Sequence, residues 1–144
     1  MRSRELIDNL PHKDPFLLLD DVVEVAEDGT SITCIYKVKG VEKFLEGHFP
    51  GNPIMPGNLI VEAICQTGAC LISQRSGYED KLGLLAGVDG FRFHRLVRPG
   101  DVITLHAQVE RLRERAGVMF GKAQVGTEHV TQGKVLFIIA PRDI

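Results

Sequence analysis

The chain of 144 residues contains no tryptophan, only two tyrosines and three cysteines. No two cysteines have the C-x-x-C spacing of a redox or zinc site, and the five histidines show no regular ligand spacing, so the sequence predicts no metal centre. No uncharged apolar run reaches the roughly 18 residues that a transmembrane helix needs. The formal net charge of -2 argues against nucleic acid or a membrane surface as the main partner.

The N-terminus also lacks the apolar stretch of a secretory signal, and an odd number of cysteines does not suit a disulfide framework. Both absences favour a reducing, cytoplasmic location. No linker, repeat or low-complexity segment divides the chain, and its length suits one core. We therefore expect a single domain over residues 1–144.

Apolar patterning predicts about six strands and one long helix. The strands are expected at residues 16–25, 30–38, 84–97, 102–112, 118–126 and 134–139. Residues 58–74 form an apolar run whose only charge is Glu62, so a helix there would be buried on most of its surface. The sum predicts an α+β fold, in which a curled antiparallel sheet wraps around one long buried helix.

Two ionisable residues lie where burial is costly. His48 is in residues 46–57, a segment with three prolines and three glycines that predicts a loop of fixed shape. Glu62 is in the apolar helix, where burial is expected to favour its neutral form, and Gln66 on the same helix face is placed to hydrogen-bond it. A neutral imidazole as base and a buried carboxyl as acid form a pattern typical of acid–base catalysis.

The start of the predicted helix supplies a third element. Pro56 suits a first helical turn, and the free N–H groups near Gly57 would stabilise negative charge on a carbonyl oxygen. With His48 and Glu62, this arrangement suits proton removal next to a carbonyl and loss of a β-hydroxyl. Taken singly, each residue also has a purely structural explanation: an exposed histidine, a buried hydrogen bond, a turn.

Residues 91–115 concentrate positive charge, since six arginines stand there against three acidic residues. They are Arg92, Arg95, Arg98, Arg111, Arg113 and Arg115. A solvated surface is the simpler explanation of this cluster. Cys65 and Cys70, both in the apolar helix, are predicted to be small buried hydrophobic residues.

The central loop and helix carry a resemblance to a known family. G-H-F-P-G-N-P-I-M-P-G at residues 47–57, followed by L-I-V-E-A at 59–63, resembles the active-site motif of the 3-hydroxyacyl-[acyl-carrier-protein] dehydratases of type II fatty-acid synthesis, the FabZ type. Residues 10–20 and 91–101 resemble two further segments of that family. The three segments occur in the family's order and span nearly the whole chain.

This resemblance implies the hotdog fold, with the long helix inside the curled sheet. It implies that His48 removes the C2 proton, that Glu62 as an acid helps the C3 hydroxyl leave as water, and that Gly57 N–H binds the thioester carbonyl. Phe49, Pro56 and Gln66 are further expected to line the substrate site. No metal or redox cofactor is implied.

The resemblance also implies partners. The substrate would arrive on the phosphopantetheine arm of acyl carrier protein, an acidic protein, and Arg92, Arg95 and Arg98 are candidates for contacting it. The implied working unit is a homodimer, with a trimer of dimers as an open alternative. His48 of one subunit would face the acid Glu62 across the dimer interface.

Departures from the family pattern leave acyl chain length, carrier and pathway open: Asp14, Asn58 and Leu96 replace more usual residues. A dehydratase/isomerase would generally carry Asp in place of Glu62, and (R)-specific enoyl hydratases place the acid before the histidine. A hotdog thioesterase, or a non-catalytic acyl-binding subunit of a dehydratase assembly, remains as an alternative.

Overall fold

The computed structural model describes residues 3–143, in which the predicted six strands and long helix are present. The helices are α1 (Ser3–Asp8) and α2 (Gly57–Ser73), with a 3-10 turn at Lys43–Leu45. The strands are β1 (Asp21–Val25), β2 (Ser31–Lys37), β3 (Lys81–Asp89), β4 (Val102–Leu112), β5 (Ala116–Val125) and β6 (Glu128–Pro141). Within the described residues, no helix is long and apolar enough to cross a membrane.

The six strands form one antiparallel sheet in the order β1-β2-β4-β5-β6-β3. Side chains alternate between faces along each strand, so one face of the sheet presents an apolar surface to α2. Helix α2 packs against β2, β4 and β5. The buried residues it supplies to the core include Ile60, Ala63, Ile64, Cys70 and Leu71. The predicted α+β arrangement of a sheet around one long helix is confirmed.

Two glycine contacts let the helix lie close to the sheet. A Cβ atom on Gly121 of β5 would overlap the side chain of Ile64 in α2. A Cβ on Gly68 of α2 would likewise overlap the Met119 side chain of β5. Because interiors are close-packed, a larger residue at Gly121 would push against Ile64 of the helix, and one at Gly68 would force the Met119 side chain to move.

Two predicted strands are shorter than expected. The segment before β1 is irregular because Leu18 N–H donates to the side chain of Gln66, 2.8 Å away, instead of to a neighbouring strand. Strand β3 ends at Asp89, and Gly90 follows with φ of 80°. Residues 91–99 then run across the loop before α2, where Val97 O accepts from Met55 N–H at 2.8 Å. The contact with the loop before α2 ends β3 earlier than predicted. Apolar patterning in the sequence does not reveal that contact.

Strand β3 lies at one end of the sheet and pairs only with β6 among the described residues. Its apolar side chains remain exposed: Leu84 is 41% exposed, Leu85 54% and Val88 54%. An exposed apolar edge strand is a template for pairing with another chain. The exposed β3 edge is therefore a surface that could pair with another chain.

Candidate active site

The loop before α2 holds His48 in a fixed orientation. Phe49 and Asn52 exchange backbone hydrogen bonds of 3.1 and 2.9 Å, and Ile54 N–H donates to His48 O at 2.8 Å. The His48 ring nitrogen Nδ1 lies 2.9 Å from Ile54 O. The predicted rigid loop is thus held by its own backbone.

The bond to Ile54 determines which ring nitrogen of His48 carries the proton. A carbonyl oxygen only accepts hydrogen bonds, so Nδ1 must donate. In the neutral ring, Nε2 then holds a lone pair and is free to accept a proton. His48 is half-buried and stacks on Phe49, with ring centroids 4.2 Å apart. This tautomer suits a base that accepts a proton at Nε2.

Glu62 is held by the residue one turn further along α2. Gln66 Nε2 donates to Glu62 Oε2 at 2.9 Å, which confirms the predicted hydrogen bond. Gln66 Nε2 also donates to Phe16 O at 3.0 Å, while its Oε1 accepts from Leu18 N–H. Gln66 has no exposed surface. In the single chain the Gln66 amide therefore bonds only to protein groups, and its expected place beside the substrate stays a prediction.

The Glu62 side chain is 20% exposed and opens onto a groove between α2 and the β3 end of the sheet. The groove wall is mostly apolar and includes Cys65, Ala69, Ile72, Leu85, Phe137 and Ile139. A mostly apolar groove with a carboxyl in its wall suits a hydrophobic chain whose polar end reaches that carboxyl. His48 is not among the residues that line this groove.

His12 also lines the groove, and the sequence reasoning did not identify it as a site residue. Its Nε2 atom lies 3.9 Å from Glu62 Oε2. Burial lowers the pKa of His12, and the negative charge of Glu62 acts in the opposite direction. The only sequence signal was its position in the first of the three family-like segments, residues 10–20.

At the start of α2, two of the backbone N–H groups already have an acceptor within the helix. Leu59 N–H and Ile60 N–H both donate to Pro56 O, at 3.0 and 3.2 Å. Gly57 is the first residue of α2, so no carbonyl of the helix precedes it to accept its N–H, which is available to a substrate oxygen. No side chain caps the helix at Pro56. A Cβ on Gly57 would lie 3.0 Å from the Phe93 ring, so this close approach favours glycine.

The other predicted contact residues are in the same region. Phe49, 51% exposed, follows His48, and the half-buried Pro56 precedes Gly57. Cys70 is fully buried as predicted, whereas Cys65 is only half-buried and lines the groove. The prediction for Cys65 is thus wrong in degree, because its helix face is turned to the groove and not to the sheet. Burial, aided by the charge of Glu62, raises the pKa of Cys65 to about 12.

The three candidate arginines differ in their contacts. Arg95 Nη1 donates to Asp101 at 2.9 Å and Arg95 Nε to Glu128 at 3.1 Å. Arg98 is exposed and donates to Asn52 Oδ1 at 2.6 Å, which ties it to the His48 loop. Arg92 is exposed as well. Arg95 is thus the most occupied of the three by internal acids.

Comparison with known proteins decides the family. A FabA-like domain is recognised over residues 10–134. The chain belongs to the FabA-like family. Within this family, 3-hydroxyacyl-[acyl-carrier-protein] dehydratase FabZ of Thermomicrobium roseum is 44% identical over 130 residues, covering 90% of this chain and 87% of the relative. FabZ of Moorella thermoacetica is 42% identical over 133 residues, covering 92% of each. The chain is a FabZ-type member and an enzyme.

Solved structures agree on the fold of this FabZ-type chain. The dehydratase heterocomplex ApeI:P from Xenorhabdus doucetiae matches with a TM-score of 0.77 at 20% identity, over 94% of this chain and 90% of that one. The fluoroacetyl-CoA thioesterase FlK matches with a TM-score of 0.67 at 12% identity, over 84% and 90%. At such low identity these matches show the fold alone, which is the predicted hotdog fold.

Proposed function

We propose that this chain dehydrates 3-hydroxyacyl thioesters carried on acyl carrier protein to trans-2-enoyl thioesters, in fatty-acid or a related lipid biosynthesis. The observation that carries the proposal is Glu62, a carboxyl fixed by Gln66 in the wall of a mostly apolar groove. The names and 42–44% identity of the FabZ relatives support the same substrate class.

The proposed reaction needs only the chain's own acid, base and backbone donor. His48 Nε2 takes the proton from C2, and the electron pair moves toward the thioester carbonyl. Gly57 N–H donates to that oxygen as negative charge develops on it. Glu62 gives its proton to the C3 oxygen, the C3–O bond breaks, and water leaves as the C2–C3 double bond forms. No cofactor is required.

We further propose that two subunits complete the site. In one chain the Glu62 groove does not include His48, so the base has to come from elsewhere. Pairing of the β3 edges of two copies would cover Leu84, Leu85 and Val88, which are exposed in the single chain. His48 of one copy would then face the groove of the other. This homodimer is the unit from which a trimer of dimers would be built.

The proposed carrier surface lies beside the same loop. Arg92 and Arg98 are exposed, and Arg98 contacts the His48 loop through Asn52, so an acidic carrier docked there would bring its arm to the helix start. Arg95 is assigned instead to holding Asp101 and the segment before β4, because its guanidinium already has two acidic partners.

We also propose that residues 1–144 form one dehydratase domain, since the recognised family domain covers residues 10–134. We propose a cytoplasmic location for it. That location is supported by three cysteines that are all free thiols in the described residues.

The test is turnover of acyl carrier protein loaded with 3-hydroxyacyl chains of several lengths, with the enoyl product followed by mass spectrometry. Glu62→Gln and His48→Ala should each lower kcat by about 10²-fold or more, the scale of a positioned acid or base. Matched controls are Glu46→Gln, an acid 69% exposed at the start of the same loop, and His129→Ala, an exposed histidine. Both controls should stay within about threefold of wild type.

Each other outcome has a defined meaning. Equal activity of wild type and both site variants would refute the acid–base pair. Release of free acid and carrier thiol, in place of enoyl product, would identify a thioesterase. Tight acyl binding with no product at any chain length would identify a non-catalytic acyl-binding subunit.

A further inference from the structure

A second histidine faces the carboxyl of Glu62. His12 lies between α1 and β1, and its side chain is 21% exposed, nearly the same as that of Glu62. The distance between His12 Nε2 and Glu62 Oε2 is 3.9 Å, which is longer than a hydrogen bond. Catalytic hydrogen bonds are often long before substrate binds.

The other ring nitrogen of His12 indicates which tautomer is present. Nδ1 is buried and has no hydrogen-bond partner within residues 3–143. A proton on Nδ1 would bury an unsatisfied N–H, whereas a proton on Nε2 points at the Glu62 oxygen. The surroundings therefore favour the Nε2–H form. The ring also lies parallel to Phe16, 16° between planes, with centroids 6.3 Å apart.

We infer that His12 is a positioning residue, a neutral donor that acts with Gln66 to hold Oε2 of Glu62, so that Oε1 carries the acid proton toward the substrate. This inference rests on the proposed dehydratase function. Oε2 then has one donor from α2, at 2.9 Å, and a second from the segment before β1. No hydrogen bond reaches Oε1 in the described part of the chain, which leaves that atom free for the C3 hydroxyl.

The charge state of His12 agrees with this role. A cation beside Glu62 would favour the carboxylate, which is the wrong form for an acid. Burial lowers the pKa of His12, against the smaller opposing effect of Glu62, so the ring is neutral at pH 7. A neutral N–H fixes Glu62 Oε2 without adding a full positive charge next to the acid.

The test compares three His12 variants that differ in where, or whether, the side chain has an N–H donor. His12→Gln puts an N–H near the position of Nε2, His12→Asn puts one near Nδ1, and His12→Phe keeps a ring without a donor. Kinetics would use the 3-hydroxyacyl carrier thioester, with thermal unfolding measured for each variant. We expect His12→Asn and His12→Phe to lower kcat about tenfold with KM within about twofold, and His12→Gln to stay within about threefold.

Rescue by Gln but not by Asn, at equal melting temperature, supports positioning through Nε2. The inference is overturned if all three variants turn over like wild type. It is also overturned if Gln and Asn lose activity alike, since the loss would then not depend on a donor at the Nε2 position.

A measurement without turnover tests the same contact. Ring ¹⁵N chemical shifts should show the Nε2–H tautomer of His12 in the wild-type protein. An Nδ1–H tautomer overturns the inference. A wild type without turnover refutes the proposed function, while the tautomer still decides whether His12 can donate to Glu62 from Nε2.

Discussion

Replacement of Gln66 by methionine tests whether this buried amide organises the site. Methionine has nearly the same length but cannot hydrogen-bond Leu18 N–H, Phe16 O or Glu62 Oε2, the three partners that Gln66 has at 2.8, 3.0 and 2.9 Å. A buried donor or acceptor left unsatisfied costs ~1–3 kcal/mol. The contact with Leu18 is fully buried, while the other two are partly exposed and cost less.

The expected loss in the free energy of unfolding is therefore about 3 kcal/mol, which corresponds to a melting temperature lower by roughly 10 °C for a chain of this size. Urea unfolding at one fixed protein concentration would measure it, with Gln132→Met on the exposed side of β6 as control. The control should change stability by less than about 0.5 kcal/mol. Activity of Gln66→Met should also fall about tenfold or more, because Glu62 loses its 2.9 Å donor.

A difference below about 1 kcal/mol between Gln66→Met and the control would refute this reasoning. It would mean that water or a shifted backbone satisfies Leu18 N–H as well as the amide does. Unchanged turnover with the expected loss of stability would separate the two roles: Gln66 would hold the chain before β1 but would not orient Glu62.

Three further predictions concern acid stability, thiol reactivity and assembly. Partial burial raises the pKa of Glu42, but hydrogen bonds from Lys39 N–H and the Tyr36 hydroxyl outweigh that effect and leave the pKa lowered. Glu42 therefore stabilises the fold at pH values above its unfolded-state pKa, and this stabilisation is lost as the pH falls through its folded-state pKa. In Glu42→Gln the difference between the urea midpoints at pH 6 and pH 3 should be smaller than in wild type. Because its pKa is raised to about 12, Cys65 should react with iodoacetamide at pH 8 about 10³-fold more slowly than a free cysteine. Mass spectrometry of the labelled native protein would measure this rate. Rapid labelling would contradict the burial of the Cys65 thiol. Leu85→Asp on the exposed β3 edge should yield monomers in sedimentation and lower turnover by at least about tenfold. The control Val41→Asp, at a position that is 83% exposed and lies away from β3, should change neither assembly nor turnover. A Leu85→Asp protein that remains dimeric would refute pairing through β3.

Much of the fold follows from local patterning. Residues 58–74 predicted a buried helix because apolar side chains surround it, and α2 spans Gly57–Ser73. Alternating apolar residues predicted β2, β4 and β5 closely, because each of these strands buries one face. The predictions for residues 16–20 and 90–97 were wrong, since a side-chain amide and a neighbouring loop take their backbone hydrogen bonds.

Part of the candidate site was also predictable. Glu62 stood out as the only charge in an apolar helix, and its bond to Gln66 followed from helix geometry, since residues four apart share a face. His12 could not be found in this way. Nothing local to residues 10–20 reveals that a turn of chain there ends 3.9 Å from Glu62.

The sequence by itself determined that residues 58–74 form a largely buried helix, that the loop before it has a fixed shape and that Glu62 needs a partner, because burial and hydrogen bonding over a few residues obey short periodicities. Tertiary structure alone decided that the Gln66 amide bonds only to protein groups in the single chain, that His12 joins Glu62 in the groove, and that His48 lies outside it in one chain. These depend on contacts between segments far apart in sequence, which are set by how the sheet closes around α2 and by no local preference.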